Sequence, residues 1–266
     1  MPPKGGTEAE MHIHEFGSDN QKTVLLIHPS VVRWDYFSTV IPLLEKRYHL
    51  LVPALPGYDR EEPGEDYTSV EEIAGELEKI LLARGMKQVA CAYGCSMGGS
   101  ILLRMLADHR VFFGAAVCDG GITPYQPLYL FTRLIAVRDF LMVSLGKAGG
   151  TKLLKRVFPA EEFGEQSASY VAEVLHTMSA KTIWRTFDSC NNYEMPERVR
   201  GSFGCLQYWF GEREEKDRSW DIRYVAAHFP DAELIRMKGL GHAEMAVRHP
   251  GMMAAALTQL AERHGT

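Results

Sequence analysis

The sequence predicts an α/β fold in which helices cover both faces of a mostly parallel sheet. Short apolar runs alternate with helical patterns along most of the chain, and this alternation is typical of a parallel sheet. Most of the runs are rich in β-branched or aromatic residues, as expected for strands that are buried on both faces. The 266 residues, 46% of them hydrophobic, are enough for one domain with a sizeable core.

Seven apolar runs are predicted to be strands. In chain order they cover residues 11–16, 23–28, 49–54, 88–93, 114–119, 205–210 and 232–237. Helical patterns lie between most of them, so the chain has room to cross over and return to the same end of the sheet. The sheet is therefore expected to be doubly wound, with helices on either side.

Four segments are predicted to be helices of this core. They cover residues 34–47, 69–84, 97–109 and 250–264. The second begins with a Ser-x-x-Glu capping signature, Ser69 and Glu72, and ends at Gly85. The fourth carries Pro250 in its first turn, where the missing N–H does no harm.

The alternation of strands and helices is interrupted between residues 123 and 200. This segment is rich in aromatic residues and methionine, has helical periodicity, and contains no convincing buried strand. The sequence therefore predicts a core formed by residues 1–122 and 201–266, with a helical insertion at 123–200.

A glycine-rich turn follows the strand predicted at 88–93. Ser96 lies on this turn, where a parallel sheet presents reactive groups at the carboxyl ends of its strands. Gly94 and Gly98 leave room for a tight turn, and Gly99 lets the next helix pack close to the sheet. The amide of Met97 lies at the helix N-terminus, where an oxyanion is stabilised.

The pentapeptide Gly94-Cys95-Ser96-Met97-Gly98 resembles the G-x-S-x-G nucleophile elbow of the α/β-hydrolase family. Its place between a predicted strand and a predicted helix strengthens the resemblance. The resemblance implies an α/β-hydrolase sheet, a helical cap at 123–200, and Ser96 as the nucleophile. Cys95 precedes the nucleophile, so its side chain is expected to point away from the cleft and to pack in the core.

A second resemblance concerns the oxyanion hole. The stretch VLLIHPS is similar to the family strand and turn that supply the second oxyanion donor, with Pro29 in place of the usual glycine. Proline has no N–H, so the resemblance implies Ser30 as the donor of this turn. The amides of Met97 and Ser30 are therefore the candidate oxyanion hole.

The C-terminal part of the chain resembles the family in its histidine. His242 follows Gly241 and the last predicted strand, which matches the family's catalytic base in chain order and loop position. Most of the other histidines lie within helical patterns, where a solvated surface position is the simpler interpretation.

The acid that orients this histidine is expected after the strand at 205–210. The family places it in a G-x-x-D pattern, and counting from Gly211 gives Glu214, since glutamate is a known variant in this fold. Other carboxylates leave alternatives open. They are Asp119, Glu212, Glu215 and Asp217.

The resemblance implies hydrolysis of a small or medium carboxylic ester through an acyl-enzyme, with neither a metal ion nor an organic cofactor. Aromatic and methionine side chains of the insertion suit a small-molecule substrate with an apolar portion, although packing of the insertion onto the core is expected to account for most of them. They are Tyr125, Tyr129, Phe131, Met178, Trp184 and Phe187. The same residues serve a C–C bond hydrolase, thioesterase, lactonase or acyltransferase equally well, or a receptor that only binds its ligand.

Composition excludes several other classes of protein. The formal net charge of −5 is spread along the chain, so no basic stripe indicates nucleic acid as a partner. Neither a signal peptide nor a membrane-spanning run is recognisable. The five cysteines form no CxxC pair, and three lie in predicted strands, which favours reduced thiols and a cytoplasmic location. Oligomeric state has no signature in the sequence.

Overall fold

The computed structural model describes residues 11–58, 66–125, 129–157 and 165–265, although the side chains of 129 and 151–168 lie outside this description. Two predictions fall outside it as well: Tyr129 as a lining side chain, and the absence of a signal sequence at residues 1–10. Within the described part, no helix is both long enough and apolar enough to cross a membrane.

In the described part of the chain, seven strands form one sheet, as predicted. They are β1 (Ile13–Phe16), β2 (Thr23–Ile27), β3 (His49–Pro53), β4 (Gln88–Cys95), β5 (Phe112–Asp119), β6 (Phe203–Gly211) and β7 (Ala232–Met237). Their order across the sheet is β1-β3-β2-β4-β5-β6-β7. Only the edge strand β1 is antiparallel to its neighbour, so the prediction of a mostly parallel sheet is confirmed.

Helices lie on both faces of the sheet and between β5 and β6. They are α1 (Ile41–Leu44), α2 (Val70–Ala83), α3 (Met97–Asp108), α4 (Tyr129–Val157), α5 (Glu165–Thr177), α6 (Ala180–Ser189), α7 (Ser219–His228), α8 (Met245–Arg248) and α9 (Pro250–His264). The capping signature holds in α2, where the Ser69 hydroxyl accepts a hydrogen bond from the Glu72 amide at 3.3 Å.

One predicted helix is wrong. The segment 34–47 forms a 3₁₀ turn at Trp34–Phe37 and then the single-turn helix α1. Pro42 explains the break, because it has no N–H to donate to a residue four positions earlier. The helix therefore restarts at Ile41, which puts Pro42 in its first turn.

The core has two layers because successive strand residues point to opposite faces of the sheet. On β2, Leu25 and Ile27 pack with the cluster under α2 and α3. Val24 and Leu26 pack with the other cluster, under α1 and α9. All four side chains are buried, which accounts for the continuously apolar sequence of the strand.

Three helices, α4, α5 and α6, occupy the described part of the predicted insertion. Helix α4 packs against both α5 and α6, and its backbone leaves helical geometry at Gly150, with φ of 58° and ψ of −159°. The role of this segment as a cap, and the domain boundaries at 122 and 201, remain predictions.

The strand register brings the ends of five strands to one edge of the sheet. Ile27 pairs with Gly94, and Cys95 with Asp119, at the ends of β2, β4 and β5. The ends of β6 and β7 lie beside them, because Asp119 pairs with Trp209 and Gly211 with Met237. The loops that follow these strands therefore share one edge, where ligands of open α/β sheets bind.

Candidate active site

Ser96 occupies the turn between β4 and α3 with a backbone that non-glycine residues rarely adopt, φ 51° and ψ −115°. Glycines make this turn possible. A Cβ on Gly94 would lie 2.3 Å from the carbonyl oxygen of Gly98, and a Cβ on Gly98 would lie 2.3 Å from that of Ile27. The Ser96 amide donates to the Asp119 carbonyl oxygen at 2.8 Å, which fixes the turn to the neighbouring strand.

The side chains next to Ser96 lie where the sequence predicts. A Cβ on Gly99 would lie 2.7 Å from the Gly121 Cα, so this glycine does allow close packing of α3. Cys95 is fully buried in the cluster on the opposite face of the sheet. Burial raises the pKa of the Cys95 thiol well above its usual range, as do the charges of Asp119 and Glu214. This thiol is therefore a packing group and has no nucleophilic character.

The imidazole of His242 lies beside the Ser96 hydroxyl. Nε2 is 2.9 Å from Ser96 Oγ, although the two residues are 146 positions apart in sequence. Gly120 faces the ring, since a Cβ there would lie 2.9 Å from His242 Nδ1. The loop from β5 therefore leaves room for the imidazole only because residue 120 has no side chain.

Glu214 contacts the other nitrogen of the same ring. Its Oε2 lies 2.6 Å from His242 Nδ1, and its Oε1 accepts a hydrogen bond from the Gly211 amide at 2.9 Å. Burial acts to raise the pKa of Glu214, but His242, the Gly211 amide and the charge of Arg218 hold it below its usual range. A charged carboxylate at this position keeps the proton on Nδ1, so that Nε2 can accept the proton of Ser96.

Three of the other candidate carboxylates contact partners other than His242. Tyr93 donates a hydrogen bond to Asp119 Oδ2 at 2.5 Å, and burial raises the pKa of Asp119 to about 6. Glu212 and Glu215 form ion pairs with Arg236. Among the described residues, Glu214 is the acid whose carboxylate hydrogen-bonds to His242. No hydrogen bond to His242 is described for Asp217.

The two candidate oxyanion donors follow neighbouring strands at the same edge. Met97 begins α3, and Ser30 follows β2 by three residues. A Cβ on Gly98 would also lie 2.8 Å from the His28 carbonyl oxygen, so the start of α3 touches the turn after β2. In the described part of the chain, the amides of Met97 and Ser30 donate to no backbone or side-chain acceptor, which leaves both available to a ligand.

One ion pair at the site is not predicted from the sequence. Arg213 donates two hydrogen bonds to the carboxylate of Glu244, which is only 5% exposed. The same carboxylate accepts from the Gly241 amide at 2.9 Å. Arg213 precedes Glu214 and Glu244 follows His242 by two, so the pair ties the acid loop to the histidine loop.

A buried hydroxyl cluster lies against the side chain of Met97. The hydroxyls of Tyr58 and Tyr67 are each 3.6 Å from Met97 Sδ. Both hydroxyls also contact Oγ1 of Thr186 on α6. The helix α6 is thereby joined to the residue that begins α3.

The described residues contain no cluster of three or more histidine, cysteine or carboxylate side chains that could hold a metal ion. All five cysteines are free thiols. The candidate site consists of a hydroxyl, an imidazole, a carboxylate and two backbone amides. Such a set suits nucleophilic catalysis, in which a general base activates the nucleophile.

Comparisons with known proteins identify the family and the fold. The model of the "Alpha/beta hydrolase family" matches residues 24–256. MenH from S. aureus superposes with a TM-score of 0.74 at 14% identity, covering 97% of this chain and all of that one. A hydrolase from Oleispira antarctica gives 0.74 at 16% identity and 95% coverage of both chains. An esterase from a marine microorganism gives 0.68 at 16% identity, covering 94% and 99%.

Proposed function

Because the chain belongs to the alpha/beta hydrolase family, we propose that it is a serine hydrolase that cleaves a small or medium carboxylic ester through an acyl-enzyme. The observation that supports this most is the continuous hydrogen-bonded series from Ser96 through His242 to Glu214, with distances of 2.9 and 2.6 Å. Ser96 is the nucleophile, His242 the general base and Glu214 the acid that orients the base.

The first half-reaction forms the acyl-enzyme. Ser96 Oγ attacks the carbonyl carbon while His242 Nε2 takes the hydroxyl proton, and the carbonyl oxygen becomes an oxyanion. The intermediate then expels the alcohol, which leaves with the proton from Nε2. Glu214 stabilises the imidazolium that exists between these two transfers without accepting its proton.

The second half-reaction uses water in place of the serine. His242 removes a proton from water, the hydroxide attacks the acyl carbon, and Ser96 leaves with that proton. The amides of Met97 and Ser30 stabilise the oxyanion in both halves. By analogy with measured oxyanion donors, each contributes about 3 kcal/mol to transition-state stabilisation.

The helices between β5 and β6 serve in this proposal as a cap that excludes water and contacts an apolar part of the substrate. Two aromatic pairs pack at this segment: Tyr125 lies against Trp220 with ring centroids 4.5 Å apart, and Trp184 lies against Phe140 at 5.7 Å. Met178 is fully buried and Phe131 is more than half exposed, so Met178 packs the cap and Phe131 faces outward.

Labelling with a fluorophosphonate probe tests the proposed nucleophile. The wild-type protein should be labelled at Ser96, and Ser96→Ala should abolish labelling because it removes the hydroxyl that lies 2.9 Å from His242 Nε2. His242→Asn should slow labelling at least 100-fold. His249→Asn is the matched control, since it alters an exposed histidine of the same region. An unlabelled wild-type protein would contradict the proposal.

A substrate panel then identifies the bond that is cleaved. Short and long acyl esters, lactones and thioesters should be compared, with kcat/KM as the readout. The proposal expects the highest values for esters with short or medium acyl chains. A preference for lactones or thioesters would leave the roles of the three residues unchanged but would show that the protein cleaves a different bond.

A further inference from the structure

The outer surface of α4 is unusual for an exposed helix. Five large apolar residues lie along it with exposed fractions between 40% and 79%: Leu130, Leu134, Val137, Leu141 and Leu145. Phe131 and Met142 widen this surface on one side and are 53% and 55% exposed. We call these seven residues the α4 apolar face. A helix on a protein surface normally turns charged or polar residues outward, so this surface has the character of an interaction site.

The opposite side of α4 already has its partners. Thr132 and Ala136 are buried, and the helix packs on α5 and α6. Of the eleven large apolar side chains that stand out as exposed in the described residues, seven belong to the α4 apolar face. The concentration on one side of one helix therefore does not reflect loose packing of the molecule in general.

The size of this surface matches one side of a stable protein interface. Taking roughly 200 Å² for a fully exposed large side chain, the seven residues present about 800 Å². A standard interface buries about 800 Å² on each partner. The largest apolar patch of a typical monomer is about 300–600 Å². An apolar area of this size favours association with another surface.

The spacing of the leucines is symmetric along the helix. Leu134 and Leu141 are equally distant in sequence from the midpoint between Val137 and Arg138. The same is true of Leu130 and Leu145. Steps of three and four residues also keep these side chains on one stripe of the helix. Two copies of the stripe running antiparallel about a two-fold axis at that midpoint therefore present the same residues to each other.

We propose that the α4 apolar face is a dimer interface, in which α4 packs antiparallel against α4 of a second copy of this chain. Leu134 lies against Leu141 of the partner subunit, and Leu130 against Leu145 of the partner subunit. The interface is isologous, so two copies complete it and no open chain of subunits follows.

The charges around the face favour a protein partner over a lipid surface. An amphipathic helix that binds lipid carries several cations on its polar side. Between residues 130 and 145, Arg133 is turned inward to an ion pair with Asp188, and Arg138 is paired with Asp139 at 2.7 Å. The surface therefore offers apolar area without an excess of positive charge.

Sedimentation velocity on the full chain tests the dimer. Wild-type protein should sediment as a dimer at micromolar concentration, and Leu134→Glu with Leu141→Glu should raise the dissociation constant at least 100-fold, because four carboxylates would be buried in the interface. Leu43→Glu with Met252→Glu is the matched control, since both residues are exposed apolar residues outside α4. A monomeric wild type, or dissociation in the control, would overturn the proposal.

Cysteine cross-linking tests the antiparallel arrangement without relying on charged variants. Under copper–phenanthroline oxidation, a mixture of Leu134→Cys and Leu141→Cys chains should form an intersubunit disulfide that neither chain forms alone. Cross-linking of Leu134→Cys with itself would contradict the antiparallel arrangement. Flotation with vesicles of phosphatidylcholine and phosphatidylglycerol completes the test, because vesicle binding by a monomer would assign the face to lipid and overturn the proposal.

Discussion

The hydroxyl of Ser96 is displayed by a backbone conformation that costs of order 1–3 kcal/mol. Two hydrogen bonds hold it, from the Ser96 amide to the Asp119 carbonyl oxygen at 2.8 Å and from the Ser100 amide to the Ser96 carbonyl oxygen at 3.0 Å. The absence of side chains at Gly94 and Gly98 supplies the space. The rigidity of α3 and β5 thus fixes a single hydroxyl in the orientation that the imidazole requires.

The carboxylate of Glu214 is expected to contribute through its charge. Glu214→Gln keeps the size of the side chain, but its single oxygen is needed by the Gly211 amide, so its NH2 would face His242 Nδ1 and disfavour a proton there. The amide also has no charge with which to stabilise the imidazolium. We expect kcat for p-nitrophenyl ester cleavage to fall by about 10²–10⁴-fold.

Glu212→Gln serves as the control for that change. Glu212 lies two residues earlier, where it accepts from the Gly239 amide at 2.8 Å and pairs with Arg236. Its substitution should leave kcat within about threefold of the wild type. A large loss in this variant with little loss in Glu214→Gln would move the role of the acid to Glu212.

At the scale of elements, the loops after β6 and β7 are held together by side chains that do no chemistry themselves. Arg213 and Glu244 pair across them, and the Arg213 amide donates to the Leu240 carbonyl oxygen at 2.9 Å. Burial acts to raise the pKa of Glu244, but the Gly241 amide, Arg213 and Arg248 hold it below its usual range. Glu244 is therefore a charged group that positions the histidine loop.

We expect Glu244→Gln to lower kcat about tenfold with little change in KM, because a looser loop misplaces His242 more than it affects substrate binding. Arg213→Ala should have a similar effect, and the double variant should be no worse than either single one. Glu262→Gln is the control, since Glu262 also pairs with two cations, Lys22 and Arg47. Additive losses in steady-state kinetics would show that the pair does not act as a unit.

The elements that the sequence predicts correctly are those whose local pattern is strong. The central strands β2 to β5 are mostly apolar and almost entirely buried, and the elbow at Ser96 is marked by glycines that the turn requires. The helix at 34–47 fails because Pro42 outweighs the apolar periodicity around it. The sequence does not predict helix α7, because the helix has little amphipathic pattern: its buried residues are Asp221 and Val225.

The contacts that the sequence does not predict are tertiary. Arg213 and Glu244 are 31 positions apart, and nothing in the residues around either one indicates the other. The α4 apolar face has the same character: its periodicity predicts a helix, but only the packing on α5 and α6 shows which side of that helix faces outward.

At the scale of the whole molecule, one buried carboxylate lowers the stability of the folded chain when it ionises. Glu78 on α2 is fully buried, 3.5 Å from Arg110, and its Oε1 has no partner among the described residues. Burial and the charge of Asp108 raise the pKa of Glu78 to about 7. The folded chain therefore binds more protons than the unfolded chain between about pH 4.5 and 7, so the free energy of unfolding falls as pH rises through that range.

Glu78→Gln should remove this loss, because the amide resembles the protonated acid. We expect Tm at pH 8 to rise by about 2–4 °C relative to the wild type, and Tm at pH 5 to change little. Glu197→Gln is the control at an exposed position, and it should change Tm little at either pH 5 or pH 8. Equal shifts of the Glu78→Gln variant at pH 5 and pH 8 in scanning calorimetry would contradict the expected ionisation.

The separation of 146 positions between Ser96 and His242 also has a consequence for biosynthesis. A polypeptide that is still being translated contains Ser96 long before it contains His242. The strands β5 and β6 lie between the two residues in sequence, so both strands must be translated before Ser96 and His242 can come into contact. Translation products that end before residue 242 therefore carry the Ser96 hydroxyl without the imidazole that contacts it in the full chain.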